Sequence, residues 1–160
     1  MNSFADFRSA VLADASAAMR QTSTTPAPHF IVDDEFGQLS LFGPIFQTEK
    51  EKAAAPKVMA AWIARARPER LAFVMEAFSV ANPSKDEIEQ PASTNPRRRH
   101  RINVWIFRKG SREIECWSAP VQRLDSGSIA PGEWSKLDTT NLTPSGVLFD
   151  PILRAMAELR

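Results

Sequence analysis

The run LAFVMEAFSV at residues 71–80 constrains the fold of this chain more than any other stretch of its sequence. Side chains of a strand alternate between its two faces, and both alternating sets of this run are mainly apolar. Such a strand is stable when both faces are covered, so the run predicts a central strand with further structure on both sides. Hydrophobic residues make up 43% of the 160-residue chain, which is enough to build this core in one domain.

Three amphipathic helices are predicted around the central strand. Apolar residues recur at helical spacing over residues 4–20, and Thr48 with Glu51 forms a capping box in front of a second helix. Asp150 and Pro151 are the residue types of an N-cap and a first helical residue, so they predict the start of a C-terminal helix. Each helix is expected to pack its apolar stripe against the sheet.

Four further strands are predicted, in two hairpins. Short apolar runs at residues 29–32 and 39–42 form the first hairpin. The second joins residues 101–108 to residues 113–121 through a two-residue type II′ turn at Gly110 and Ser111. In this register the opposed pairs are Arg108 with Glu113, Phe107 with Ile114, Ile106 with Glu115, Trp105 with Cys116, and Val104 with Trp117.

The predicted order of elements is α-β-β-α-β-β-β-α, with the strands clustered along the chain. Because regular βαβ alternation is absent, this order favours an α+β fold with a mainly antiparallel sheet of about five strands and helices packed on it. Residues 1–160 are expected to form a single domain. Two long polar segments interrupt the pattern: residues 81–100 predict a mobile loop, and residues 124–146 predict a long covering loop.

The charge and cysteine content exclude several classes of protein. Twenty Lys and Arg against 19 Asp and Glu leave a net charge of +1, so the whole molecule is not steered toward nucleic acid or an anionic membrane. Cys116 is the one cysteine, which excludes an intrachain disulfide and fits a reducing compartment. The sequence shows neither a signal peptide nor a membrane-spanning run, so a soluble cytoplasmic protein without membrane contact is expected.

The sharpest charge feature is the sequence PRRRHR at residues 96–101. Its four guanidiniums belong to Arg97, Arg98, Arg99 and Arg101, and they predict a binding site for phosphates or for an acidic protein partner. Acidic residues at positions 86, 87 and 89 weaken that field, and alternation along the strand points Arg98 away from the other three. The alternatives are nucleic-acid binding, protein binding, and a solvated edge with internal ion pairing.

Two of the four tryptophans are candidates for the same interface. Trp62 and Trp105 fall on predicted core faces, whereas Trp117 and Trp134 border loops. A half-exposed tryptophan anchors an interface, or it caps the open end of a sheet with its N–H bonded inside the molecule. Trp117 and Trp134 are therefore candidate partner-binding residues, with the capping role as the alternative.

No set of residues predicts catalysis or a cofactor. Glu76 is expected to be a structural carboxylate paired with an arginine of the neighbouring strand, because no nucleophile or base accompanies it. Cys116 is expected to be a small buried hydrophobe, since the sequence places neither His29 nor His100 beside it. Acidic residues 33–35 predict a charged turn, because the spacing of a calcium loop is absent. The protein is expected to have no metal and no cofactor, and not to be an enzyme.

Several segments together are similar to those of a known group of proteins. They are MEAF at residues 75–78, NPRR at residues 95–98, the strand at residues 102–107, and the stretch from Ala119-Pro120 through Arg123 to Gly132-Glu133-Trp134. These segments cover about the middle third of the chain and resemble small, uncharacterised α+β proteins of bacteria and phages. The resemblance implies no activity, because none is assigned to that group.

Two functions of different classes follow from these patterns. The first is a non-enzymatic protein–protein interaction or adaptor domain, which binds another protein, or itself as a homodimer, through Trp117, Trp134 and residues 82–101. The alternative is an accessory domain that binds nucleic acid or another polyanion through the arginines of residues 97–101. The interaction domain is the favoured prediction.

Overall fold

The computed structural model of the chain describes residues 3–33, 39–42, 48–139 and 146–160. Within these residues the helices are α1 (Phe4–Thr22), α2 (Glu49–Ala66), α3 (Lys85–Ile88) and α4 (Gly146–Glu158), with a short 3₁₀ helix at Ala92–Thr94. The strands are β1 (His29–Asp33), β2 (Leu39–Phe42), β3 (Arg70–Ser79), β4 (Arg99–Arg108), β5 (Ile114–Arg123), β6 (Ile129–Pro131) and β7 (Ser135–Leu137). The fold is α+β, as the order of sequence patterns predicts.

The sheet is antiparallel, with β3 near its centre. Its strand order is β2-β1-β3-β4-β5-β6, and β7 also pairs with β5. All the described pairings are antiparallel. β3 lies between β1 and β4, which confirms the central position predicted for residues 71–80. The hairpin of β1 and β2 is also confirmed, while its turn at residues 34–38 lies outside the described residues.

Helices cover the sheet on both faces. α1 packs on one face, which we call the α1 face, and α2 and α4 pack on the other, the α2/α4 face. Along β4, Val104 and Ile106 belong to the cluster under α1, whereas Trp105 and Phe107 belong to the cluster under α2 and α4. The alternation of a strand thus supplies apolar side chains to both layers, as a two-sided core requires.

The β4–β5 hairpin has the predicted register. The structure contains the predicted pairs Val104 with Trp117, Trp105 with Cys116, Ile106 with Glu115, and Phe107 with Ile114. At the end of the hairpin, an Arg108 guanidinium nitrogen donates to Glu113 Oε2 at 2.7 Å. Opposite charges across the strands therefore support the register that they predict.

The turn of this hairpin differs from the predicted one. The Ser111 N–H donates to the Arg108 carbonyl at 3.2 Å, and Gly110 has a φ of +70° inside that turn. The connection is therefore longer than the two-residue type II′ turn predicted at Gly110 and Ser111. The Gly110 N–H donates to the Met156 carbonyl of α4 at 2.9 Å, a tertiary hydrogen bond that local sequence does not reveal.

The first two helices lie where the sequence predicts them. α1 spans Phe4–Thr22, within two residues of the predicted 4–20. Thr48 and Glu51 form the predicted capping box of α2: Thr48 Oγ1 accepts from the Glu51 N–H at 3.1 Å, and Glu51 Oε2 accepts from the Thr48 N–H at 3.3 Å. Both helices therefore begin where side chains satisfy unpaired backbone donors.

α4 begins earlier than predicted. It starts at Gly146, so the prediction of Asp150 as N-cap and Pro151 as first helical residue is wrong. The additional turn carries Phe149, which is 4% exposed and packs its ring 4.9 Å from that of Trp105. Burial of this ring offsets the hydrogen bond that a proline inside a helix removes.

Both long polar segments contain regular structure that their sequences did not indicate. Residues 81–100 hold α3 and the 3₁₀ helix, and β4 already begins at Arg99. Residues 124–146 hold β6 and β7, each paired with β5, while residues 140–145 lie outside the described part. Strands of three residues are too short to show alternation, which explains why they were missed. The mobility of residues 81–100 stays a prediction.

Candidate functional site

The sheet is well covered along only half of its length. In β3, residues 71–74 are buried, whereas residues 75–79 are half-buried. In β4, residues 104–107 are buried, whereas residues 99–103 are exposed or half-buried apart from Ile102. We call residues 71–74 and 104–107 the covered half of the sheet, and residues 75–79 and 99–103 the open half.

A groove of about 370 Å³ lies along the open half, and we call it the open groove. Its apolar side is formed by Ala77, Val80 and Leu137, and its polar side includes Arg99 and Asn103. None of the described residues that line it belongs to a helix. The α2 and α4 layer therefore ends before it reaches this part of the sheet.

Two polar features shape the floor of the open groove. Arg101 Nε donates to Ser118 Oγ at 2.7 Å, and Ser118 is fully buried. Asn103 Oδ1 is buried and accepts no hydrogen bond from any described residue. Because an unsatisfied buried acceptor costs about 1–3 kcal/mol, a ligand N–H that reached Asn103 would gain a favourable partner.

Arg99 is the uncommitted cation of the open groove. Its side chain is exposed, and it forms no hydrogen bond or ion pair with the described residues. Other arginines of the sheet are paired: Arg70 lies 2.8 Å from Asp33 Oδ2, and Arg108 lies 2.7 Å from Glu113 Oε2. Arg99 is thus available to an anion from outside the molecule.

Arg97 braces the segment between β3 and β4. Its guanidinium donates to the Ala81 carbonyl at 2.6 Å and lies 3.5 Å from Glu87 Oε1. Asn95 Nδ2 donates to Glu87 Oε2 at 2.6 Å, and this bond does most to hold the pKa of Glu87 below its usual value. These contacts connect α3 to the start of β4, so Arg97 serves the structure of this segment.

Arg98 points to the opposite face of the sheet from Arg99. Its guanidinium carbon lies 5.8 Å from the ring centroid of Phe78, and it donates to the Asn95 carbonyl at 3.3 Å. The Phe78 ring also stacks on His100, with centroids 5.0 Å apart and 12° between the ring planes. The four predicted arginines therefore divide between the two faces, as strand alternation predicts.

Glu76 is held by two hydrogen bonds on the α1 face. Thr25 Oγ1 donates to Glu76 Oε2 at 2.6 Å, and His100 Nε2 lies 2.7 Å from the same oxygen. The Thr25 bond, with a smaller contribution from His100, holds the pKa of Glu76 below its ordinary value of 4.5 despite partial burial. The predicted pairing of Glu76 with an arginine is wrong. Its partner on β4 is His100, which lies diagonally across the β3–β4 ladder from Glu76.

Arg123 is a cation of the open half that no sequence pattern singled out. It stands at the end of β5 and lines a hollow of about 330 Å³ together with Thr25 and His100. Continuing the β4–β5 register beyond its last pair places Arg123 level with Arg98. The predicted β4–β5 register, continued past its last pair, would therefore have placed Arg123 opposite Arg98 from the sequence alone.

Trp117 and Trp134 lie on the α1 face, away from the open groove. The Trp117 indole N–H donates to Glu115, and the Trp134 indole N–H donates to Ser16 Oγ of α1 at 3.2 Å. Both rings are half-buried against the cluster under α1. The six predicted partner-binding residues therefore do not form one surface, since the arginines lie at the open half and the tryptophans help to close the α1 layer.

Two larger hollows lie elsewhere on the molecule. One of about 480 Å³ lies beside the β4–β5 hairpin, where Arg108 pairs with Glu113 and Lys136 lies 3.7 Å from Glu115 Oε2. The other, of about 590 Å³, lies between α2 and α4 and is lined by alanines such as Ala60 and by the charged residues Asp150, Arg154 and Glu158. The first hollow is also lined by Trp105, whose buried indole N–H has no hydrogen-bond partner among the described residues, whereas no such atom belongs to the described lining of the second.

Other chemistry in the described part of the chain is limited. Cys116 is buried in the cluster under α2 and α4, and burial raises the pKa of its thiol to about 12, so the thiol stays protonated at neutral pH. The described residues contain no group of three or more His, Cys, Asp or Glu side chains placed to hold a metal ion. None of the described helices is both long enough and apolar enough to span a bilayer.

Comparison with known proteins finds no matching family model, no matching curated protein and no matching solved structure. The resemblance to small α+β proteins of bacteria and phages therefore stays a prediction. Function is inferred from the geometry of this chain.

Proposed function

We propose that this protein is a non-enzymatic interaction domain that binds an acidic segment of a partner protein in the open groove. The bound segment is expected to carry a carboxylate for Arg99 and apolar side chains for the floor at Ala77 and Leu137. The sequence has a single cysteine and thus no intrachain disulfide, which is common in reducing compartments, and a cytoplasmic interaction is part of the proposal.

The unpaired guanidinium of Arg99 carries this proposal. It is exposed in the lining of the open groove, which also contains half-buried apolar side chains and, four residues along β4, the buried acceptor of Asn103. A hydrogen bond to a charged group is about twice as strong as one between neutral groups. A cation next to an apolar floor therefore favours an acidic, partly apolar peptide over a purely polar ligand.

The neighbouring arginines favour a protein partner over a polyanion on this face. Arg97 is bonded to Ala81 and Glu87, and Arg101 is bonded to Ser118. Nucleic-acid affinity comes from many phosphate contacts, each of which needs an available cation. Among the arginines in the described lining of the open groove, only Arg99 has a guanidinium without a hydrogen bond or ion pair to a described residue.

Fluorescence anisotropy of a labelled peptide tests the proposal. The probe is an extended peptide that alternates Glu with Ile, and its control has Gln in place of each Glu. We expect saturable binding of the acidic peptide and about tenfold weaker binding by Arg99→Gln, because a hydrogen bond to a charged group contributes about 1.5–3 kcal/mol. Arg112→Gln, which removes an exposed arginine outside the groove, should bind as the wild type does. Equal binding by Arg99→Gln and wild type, or no binding of the acidic peptide, contradicts the proposal.

The second candidate function is polyanion binding by the α1 face of the open half. It is supported by Arg98 and Arg123, which the extended β4–β5 register places at the same level, and by the half-exposed rings of Phe78 and His100. Each of these guanidiniums donates one hydrogen bond, at 3.3 Å, to a backbone carbonyl, that of Asn95 or of Gly127, and keeps further donors for a phosphate. Aromatic rings next to cations are the usual platform for single-stranded nucleic acid.

Salt dependence of binding to a labelled oligothymidylate tests this second function. For single strands, log K against log salt has a slope of about −0.7 for each phosphate contact. The function belongs to the α1 face if the slope corresponds to several phosphate contacts, becomes smaller in Arg98→Gln and in Arg123→Gln, and is unchanged in Arg99→Gln. A slope near zero contradicts polyanion binding by this protein.

A further inference from the structure

We propose that the hollow of about 480 Å³ beside the β4–β5 hairpin, which we call the hairpin hollow, binds a free α-amino acid with an apolar side chain. The carboxylate of the ligand accepts from the indole N–H of Trp105 and from the guanidinium of Arg112, and its ammonium pairs with the carboxylate of Asp150. The hairpin hollow and the open groove share no described lining residue, so the two sites are separate and each can be occupied without the other.

The indole N–H of Trp105 is the group that points to a ligand. Trp105 is 8% exposed, its Nε1 is buried, and this nitrogen donates to none of the described residues. The indole N–H groups of Trp117 and Trp134, in contrast, donate within the molecule. Buried donors in native proteins nearly always have an acceptor. Because Trp105 lines the hairpin hollow, a ligand bound there can supply the oxygen that the protein does not.

Three parts of the chain bring the walls of the hairpin hollow together. The ring of Phe149 on α4 packs 4.9 Å from the ring of Trp105, and the next residue of α4, Asp150, lines the hollow. Thr139 Oγ1 donates to the Ile114 carbonyl at 3.0 Å, which holds the chain after β7 against β5. The hollow is therefore bounded by α4, by the hairpin and by the segment that follows β7.

Most charged side chains of the hairpin hollow already have a partner. An Arg108 guanidinium nitrogen donates to Glu113 Oε2 at 2.7 Å. Glu115 Oε2 accepts from Arg8 of α1 at 3.0 Å, and the Lys136 ammonium lies 3.7 Å from the same oxygen. Each of these groups has an opposite charge within the molecule, so the choice of ligand falls to the charged groups that have none.

Arg112 and Asp150 are the charged groups of this lining without a partner. Both are exposed, and neither forms a hydrogen bond or an ion pair with the described residues. A simple anion would pair with Arg112 and leave Asp150 beside a like charge, and a simple cation would do the reverse. A zwitterion satisfies both groups, and an amino acid is the common small molecule that carries a carboxylate and an ammonium on one carbon.

The apolar wall of the hairpin hollow accounts for the side chain of the ligand. Ile114 and Leu153 are half-buried and pack against the cluster under α2 and α4. An apolar ligand side chain would remove their remaining surface from water, which favours binding. The volume of about 480 Å³ lies within the range of about 300–1,000 Å³ that is usual for small-molecule sites.

NMR of the protein with ¹⁵N-labelled tryptophan tests the proposal, with L-leucine as the probe. Leucine should move the indole N–H resonance of Trp105 downfield in a saturable manner, because this N–H gains an acceptor. The resonance is assigned by its loss in Trp105→Phe. The indole resonances of Trp117 and Trp134 should stay in place, since these groups already donate within the molecule. A titration that leaves the Trp105 resonance unmoved overturns the proposal.

Variants of the two unpaired charges test the ends of the ligand separately. Arg112→Gln and Asp150→Asn should each weaken leucine binding at least about tenfold, because each removes a hydrogen bond between charged groups. Arg154→Gln removes an exposed arginine of α4 that lines only the hollow between α2 and α4, so it should bind leucine as the wild type does. Urea unfolding confirms that each variant is folded. Unchanged binding by Arg112→Gln or Asp150→Asn, or weaker binding by Arg154→Gln, contradicts the assignment to the hairpin hollow.

Ligand analogues separate a zwitterion from simpler ions in the wild type itself. N-acetyl-leucine keeps the carboxylate and loses the ammonium, whereas leucine amide keeps the ammonium and loses the carboxylate. Both should bind at least about tenfold more weakly than leucine. If N-acetyl-leucine binds as tightly as leucine, the hollow takes a simple carboxylate and the proposal of an amino acid is wrong.

Two arginine variants keep this result distinct from that of the proposed function. Arg99→Gln should bind leucine as the wild type does, and Arg112→Gln should bind the acidic peptide as the wild type does. Loss of leucine binding in Arg99→Gln would place the amino acid in the open groove and overturn its assignment to the hairpin hollow.

Discussion

The covered half and the open half of the sheet are made from the same strands, yet they differ in what lies over them. In the covered half Phe73 is 2% exposed and packs against the rings of Phe30 and Phe149. In the open half Phe78 is half-buried and contacts His100 and Arg98. The difference teaches that one apolar run forms a closed core where helices cover it and a half-buried surface where they do not.

The largest difference should appear when one phenylalanine of each half is truncated. Phe73→Ala should reduce the free energy of unfolding by about 3–5 kcal/mol, because it empties space in a closed core. Phe78→Ala should cost about 1 kcal/mol, since its half-buried ring has less packing to lose. Urea unfolding followed by tryptophan fluorescence measures both. Equal losses at the two positions would show that the open half is as tightly packed as the covered half.

A smaller difference should separate the arginines that stand at the two ends of the sheet. Arg70 is bonded to Asp33, which is 1% exposed, so Arg70→Gln removes the partner of a buried charge and should cost about 3 kcal/mol. Arg99→Gln should change the free energy of unfolding by less than about 0.5 kcal/mol, since its guanidinium is exposed and uncommitted. Unfolding by urea at neutral pH measures the pair. A large loss in Arg99→Gln would reveal a structural role and weaken its assignment to a ligand.

The two capping boxes give a third, smaller contrast. Thr48→Ala removes the cap of α2, a helix of the core layer, and should cost about 1 kcal/mol. Ser84→Ala removes the cap of α3, which has no buried residue, and should cost less than about 0.5 kcal/mol of global stability because this turn can fray alone. Hydrogen exchange of the Glu87 amide should nevertheless rise in Ser84→Ala. If it does not, α3 is not held by its capping box.

The smallest contrast concerns acid stability. Burial raises the pKa of Glu115, but hydrogen bonds from Arg8 and Trp117 and the charges of Arg8 and Lys136 outweigh it, so the pKa lies below 4.5 in the folded protein. A lowered folded-state pKa gives stability that is present above about pH 4.5 and is lost as the pH falls through the folded-state value.

Glu76 follows the same rule in the open half, where its side chain is 39% exposed against 11% for Glu115. Between pH 6 and pH 3, the wild type should therefore lose stability, and Glu115→Gln should flatten that loss more than Glu76→Gln does. Urea midpoints at several pH values measure the three profiles. If Glu76→Gln reduced the pH dependence of stability more than Glu115→Gln does, the stronger carboxylate contacts would lie in the open half.

Local patterns predicted most of the elements and one complete register. The apolar run of residues 71–80 placed β3 at the centre, and the charges of Arg108 and Glu113 selected the right pairing of β4 with β5. They failed where a tertiary contact decided the outcome. The burial of Phe149 extends α4 past its expected start, and the hydrogen bond from Gly110 to Met156 sets the turn.

The candidate site could be predicted only in part. The sequence singled out Arg99 and its neighbours, but it could not show which guanidiniums are hydrogen-bonded inside the molecule. The acceptors of the neighbouring arginines, Ala81 and Ser118, come from other segments of the chain. The sequence also left two roles open for Trp117 and Trp134, interface anchor or cap of the sheet, and only the folded chain shows that their indole N–H groups bond within the molecule. Partners that are distant in sequence leave no local pattern, so pairing of this kind appears only when the chain is folded.

The sequence by itself determined that this chain forms a two-sided antiparallel sheet, because the period of apolar residues decides which faces must be buried and the clustering of strands along the chain favours antiparallel pairing. Only the tertiary structure decided where the helices end above that sheet, and hence that Ala77, Arg99 and Asn103 line a groove instead of a core. Periodicity is a property of neighbouring residues, whereas coverage depends on the lengths and packing angles of elements that meet from far apart in the chain.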